Sequence, residues 1–162
     1  MRDLTDAELR DGLAAALAVP RWIDDVAAAA PYADVDELLE AAATAPPLSA
    51  EEIDQALAHH PRIGEKPVGE GTAQAFSRAE QASVDADDAA LATAIAEGNR
   101  AYEKRFDRVF LIRAAGRSGA EILAELRRRI ELDDETELAI VGEQLREIAL
   151  LRLETLFGED GA

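Results

Sequence analysis

Residues 56–66 read ALAHHPRIGEK and hold both histidines of the chain, His59 and His60, where a helical pattern runs into Pro61. An imidazole with an ordinary pKa of about 6.5 can take or give a proton near neutrality, so either residue could act as general acid or base. The two are not equivalent. His59 belongs to the final turn of the preceding helix, where a histidine interacts with the helix dipole and the last carbonyls without needing any further role. His60 is held extended by the proline that follows it, at the mouth of a loop reading PRIGEKPVGEG. A purely structural histidine and a catalytic one both fit the residues as they stand.

Two further places carry candidate groups. In SRAEQ, residues 77–81, Ser77 and Glu80 stand three apart and are neighbours on a helix surface. Ser-x-x-Glu is also a capping box, so the pair can equally do no more than start a helix. In the last helical stretch Leu138, Val141, Leu145 and Ile148 advance by three, four and three residues, and the next step on that stripe is Arg152. At about 100° per residue Arg152 lies about 20° from Leu145, in the middle of the apolar face. Either its head group extends to water, or its guanidinium points into a pocket and can hold a carboxylate through paired N–H groups. Metal binding has little support, because adjacent histidines seldom share one ion and no Cys or further His completes a site. Serine hydrolysis lacks its Gly-x-Ser-x-Gly elbow.

These groups must be positioned by a chain of 162 residues with no cysteine, which excludes a disulfide framework and a thiolate nucleophile. The length suits one compact domain over residues 1–162. Acidic residues number 34 against 17 basic ones, for a net charge of −17. Such a field repels polyanions, so nucleic acid is not an expected partner and an anionic ligand needs a locally placed arginine. A leader pattern and an apolar run of membrane-spanning length are both missing from the residues given, and the expectation is a soluble, cytoplasmic protein with no membrane partner.

Ala and Leu dominate, and Ser, Thr or Asp followed three residues later by Glu recurs before apolar-periodic runs. The expected fold is all-α, with about seven to nine helices. Thr5 with Glu8 opens one helix to about Ala18; Pro20 sits in the first turn of a second reaching Ala30; Asp34 with Glu37 opens a third ending before Pro46-Pro47. Ser49 with Glu52 opens a fourth that stops near His59. Helical periodicity returns from about Thr72 to Val84 and from about Asp87 to Phe106. Ser118 with Glu121 opens a helix to about Ile130, and Asp133 or Asp134 opens the longest, to about Phe157. The segment 108–116, RVFLIRAAG, breaks the pattern. It reads as short and extended, and with no second strand to pair with it is expected to be a buried non-helical connector.

Together these pieces resemble the 2-oxo-4-hydroxy-4-carboxy-5-ureidoimidazoline (OHCU) decarboxylases, which carry out the last step from urate to (S)-allantoin. The resemblance rests on His60-Pro61-Arg62-Ile63-Gly64, Ser77-x-Ala79-Glu80-Gln81, Asn99-x-x-Tyr102-x-x-Arg105-Phe106, Phe110-Leu111-Ile112, Glu147-Ile148 and Arg152-Leu153, in order along most of the chain. It implies a cofactor-independent decarboxylase in which His60 is catalytic, Glu80 is its acidic partner and Arg152 binds the ligand. It further implies that Pro61, Ser77 and Gln81 line the substrate, with Phe110, Ile112 and backbone groups as far as Ala114 completing the pocket. Family members are often homodimers, and the Ala-rich second and third helices could form that surface, although a monomer is physically sound. Asp107 departs from the pattern by standing where the family usually has glycine. Two rival readings stay open: a small acidic helical binding protein, and a related enzyme acting on a different ureido or imidazole compound.

Overall fold

The computed structural model describes residues 4–58 and 89–158. Within them the chain forms seven α-helices and no strand: α1 Asp6–Ala16, α2 Pro20–Ala28, α3 Val35–Thr44, α4 Ala50–Leu57, α5 Ala89–Phe106, α6 Gly119–Arg129 and α7 Asp134–Phe157. The all-α expectation holds. The helix expected from about Thr72 to Val84 lies outside the described residues.

The helix starts are where short-range chemistry puts them. Thr5 accepts the Glu8 N–H at 3.1 Å while Glu8 accepts the Thr5 N–H at 3.0 Å, and Ser118 with Glu121 repeats this reciprocal arrangement at α6. Ser49 and Glu52 do the same ahead of α4, and Asp34 accepts the Glu37 N–H ahead of α3. α1, α2, α4 and α6 end one or two residues short of expectation, while α5 and α7 end at Phe106 and Phe157 as expected. α1 stops at Ala16 because Leu17 and Val19 are extended, the latter as Pro20 requires of the residue before it, and both bury their side chains in that conformation.

The chain divides into two compact units, Met1–Ala56 with Leu145–Ala162, and Leu57–Gln144. In the first, α1 packs on α2 and α2 on α3. Leu9, Leu13, Trp22, Val26, Leu38, Ile53, Leu145 and Leu153 are among its buried side chains, and the Trp22 indole donates to the Ala42 carbonyl at 3.4 Å. Arg21 on α2 holds both carboxylate oxygens of Glu52, each at 2.9 Å. In the second unit α5 packs on α6 around Ile95, Tyr102, Phe106, Phe110, Ile112, Ala114, Ile122 and Leu126. Among the described residues no helix is long and apolar enough to cross a membrane.

Candidate active site

His60, Pro61, Ser77, Glu80 and Gln81 all lie outside the described residues. What is described is the helix that leads to them, α4, with Ile53, Ala56 and Leu57 buried, together with three further candidates: Phe110, Ile112 and Arg152.

Phe110 and Ile112 belong to the connector between α5 and α6. Its backbone from Asp107 to Ser118 forms neither helix nor strand, and Phe110, Leu111, Ile112 and Ala114 are buried. The segment RVFLIRAAG is thus a buried non-helical connector, as expected, whereas the short extended element also expected there is not shown among the described residues. α5 is closed by Asp107, the residue after its last turn, whose φ of +56° is left-handed and whose N–H reaches the Glu103 carbonyl at 2.8 Å. Glycine is the residue that takes this helix-ending conformation at least cost, so Asp107 keeps the glycine-type turn with a side chain that tolerates it.

A buried backbone without a ladder needs other partners for its polar groups. Side chains supply them. Arg129, at the end of α6, donates from Nη1 to the Leu111 carbonyl at 2.8 Å, and its guanidinium carbon lies 4.7 Å from the centre of the Phe110 ring. Its Nε donates to both carboxylate oxygens of Glu137 on α7, and both partners of this ion pair are buried. From α7 Gln144 Oε1 accepts the Arg113 N–H at 2.8 Å, and Arg113 and Arg117 bond the carbonyls of Ala115 and Arg113. The Phe110 ring meets Tyr102 edge-on at 5.2 Å. Burial, reinforced by the Glu137 charge, pushes the Tyr102 phenol up to about 12. Burial likewise raises the Glu137 carboxyl, against the opposing pull of Arg129.

Arg152 belongs to the other unit. It does not extend to water: the residue is 3% exposed, and its Nη1 donates to the Ala15 carbonyl at 3.1 Å. Ala15 is in the last turn of α1, where carbonyls lack helical partners and the dipole favours a cation. The structure thus carries a buried guanidinium on the apolar face of α7, which excludes the alternative in which the head group extends to water.

Arg129, Glu137 and Gln144 were not singled out by sequence, though a signal existed. Ile122, Leu126 and Arg129 step by four and three along α6, the same test that marked Arg152. On α7 the buried stripe begins at Glu137 and not at Leu138, which is only half-buried. Among the described residues no group of three or more His, Asp or Glu is placed to hold a metal ion.

Comparison with known proteins agrees with this architecture. A uric acid degradation bifunctional protein of Arabidopsis thaliana is 35% identical over 103 residues, which cover 62% of this chain and 32% of that protein. The chain thus spans about a third of that relative's length. The crystal structure of an OHCU decarboxylase in the presence of (S)-allantoin superposes with a TM-score of 0.77 at 25% identity, over 92% of this chain and 99% of that one. The crystal structure of an (S)-allantoin synthase shares the fold, with a TM-score of 0.64 at 16% identity, over 95% of this chain and 51% of that one. The OHCU decarboxylase family model matches residues 2–154, nearly the whole sequence, and the chain belongs to that family.

Proposed function

We propose that this chain is a carboxy-lyase that decarboxylates 2-oxo-4-hydroxy-4-carboxy-5-ureidoimidazoline to (S)-allantoin, the last step of urate degradation, without a cofactor. The observation that carries the reading is the family match across residues 2–154. The similarity to an OHCU decarboxylase determined with (S)-allantoin supports it, covering 99% of that chain.

The chemistry requires that the carbon–carboxylate bond break and its electron pair be held elsewhere. The reacting carbon also bears a hydroxyl and adjoins a C=N bond. As carbon dioxide leaves, the pair forms a C=C bond to the ureido-bearing carbon and the C=N electrons pass to the ring nitrogen, which takes up a proton from solvent; the hydroxyl then gives up its proton to become a carbonyl, and the ureido-bearing carbon takes a proton on one face. His60 handles this proton traffic as general acid and base, with Glu80 as its acidic partner. Pro61, Ser77, Gln81, Phe110 and Ile112 line the substrate. Arg152 holds an anionic group of it, an assignment supported by the burial of its guanidinium. A mostly apolar setting also favours loss of the carboxylate by withholding water from it. The reading extends to one functional domain over residues 1–162, acting in the cytoplasm as a monomer or a homodimer.

The test is circular dichroism of the allantoin formed when fresh urate-oxidation intermediates, after the hydrolytic step, are mixed with the protein. Rapid formation of optically active (S)-allantoin is expected, and its loss in His60→Ala with the helical signal retained. Slow racemic product, as in the protein-free control, would overturn the proposal.

A further inference from the structure

The connector between α5 and α6 is buried without belonging to a helix or a sheet, so its course depends on the side chains that take its hydrogen bonds. Two of those bonds come two residues apart, each at 2.8 Å: Arg129 Nη1 donates to the Leu111 carbonyl, and Gln144 Oε1 accepts the Arg113 N–H. Both anchors are themselves held. Arg129 is fixed by Glu137 and lies over the Phe110 ring, while Gln144 is 8% exposed beside the buried Leu145. Glu137 and Gln144 are seven residues apart on α7 and so share one face of it. One helix face thus reaches the connector twice, once directly and once through Arg129.

We propose that Arg129 and Gln144 are positioning residues that pin the backbone of residues 110–114 in the place where it meets the substrate. The inference rests on the reading above that Phe110 and Ile112 line the substrate. A reacting group held by backbone N–H and C=O groups is sensitive to small displacements of that backbone. Leu111 and Arg113 already spend one polar group each on the anchors, which leaves the polar groups of the residues between and beside them in a defined orientation.

Gln144→Met in the full chain removes the acceptor at nearly constant length, whereas Gln144→Glu retains an acceptor oxygen in either protonation state. Kinetics of (S)-allantoin formation are read beside amide hydrogen exchange at Arg113. Gln144→Met is expected to speed Arg113 exchange and raise KM about fivefold, the factor one ordinary hydrogen bond supplies, with kcat changed less. Gln144→Glu is expected to restore both readouts. Faster Arg113 exchange with unchanged KM would overturn the proposal, as would a Gln144→Glu variant as impaired as Gln144→Met. Should Gln144→Met not fold, Arg129→Lys replaces it: it preserves charge opposite Glu137, shortens the reach to Leu111, and must raise KM for the proposal to stand. A wild-type protein that forms no (S)-allantoin above the control overturns the functional reading and this proposal with it; wild-type turnover with an insensitive KM overturns this proposal alone.

Discussion

Arg129→Met should be the most damaging single substitution in the second unit, and its cost should depend on pH. Arg129 is 1% exposed and Glu137 0% exposed, so removing the guanidinium leaves a buried carboxylate without its ion-pair partner, supported only by the more distant charge of Arg108 and the Tyr102 hydroxyl. Breaking such a pair from one side costs about 3–5 kcal/mol. The Leu111 carbonyl loses its donor and the Phe110 ring its cation, which brings the expected loss at neutral pH to about 4–6 kcal/mol. Burial already raises the Glu137 carboxyl above its ordinary 4.5, and the variant removes the opposing pull of Arg129. A folded-state pKa above the unfolded one means that the folded protein binds the proton more tightly. Stability is then fully present below the unfolded value of 4.5 and is lost as the pH rises through the folded one. Urea unfolding followed by far-UV circular dichroism should show a smaller deficit at about pH 5 than at about pH 8. A double variant, Arg129→Met with Glu137→Met, should recover most of the loss, because an apolar pair of similar volume carries no stranded charge. An equal deficit at both pH values, or a double variant no more stable than the single one, would refute this account.

Close packing makes two glycines unequal. A methyl at Gly98 would lie 2.3 Å from Leu126 Cδ2, and Leu126 is fully buried in the α5–α6 core, so Gly98→Ala should lose about 1–3 kcal/mol despite the better helix propensity. A methyl at Gly12 would meet the Phe157 ring at 2.3 Å, but that ring is partly exposed near the end of α7 and can swing aside; Gly12→Ala should change the melting temperature far less. Asp107→Gly should gain about 0.5–1 kcal/mol in thermal unfolding, since it relieves a left-handed residue and removes an acid from a helix C-terminus; a lower melting temperature would contradict this. Hydrogen bonds from Arg21, then from the Ser49 N–H, hold the Glu52 carboxyl down to about 2. A depressed folded pKa contributes stability above 4.5 that is lost as the pH falls toward about 2. Arg21→Met should flatten that acid limb, by about 1–2 kcal/mol once partial exposure of the pair is allowed for.

What the sequence determined by itself is local. Thr5, Asp34, Ser49 and Ser118 announce helix starts because a cap bonds a backbone N–H three residues away, within the reach of one turn. Pro20 and the periodicity of α5 and α7 act over the same short range. The catalytic assignments to His60 and Glu80 came from resemblance, since spacing alone left each with a structural alternative. Arg152 was marked by periodicity as a guanidinium on an apolar face, but its partner, the Ala15 carbonyl, is 137 residues away in the chain. Arg129 is the last of three consecutive arginines in α6, and only the turn after that helix brings Glu137 against it. Folding alone decides these pairings. A buried charge or an unladdered backbone group must find a partner, and which partner depends on the tertiary packing of segments whose sequence separation carries no such information.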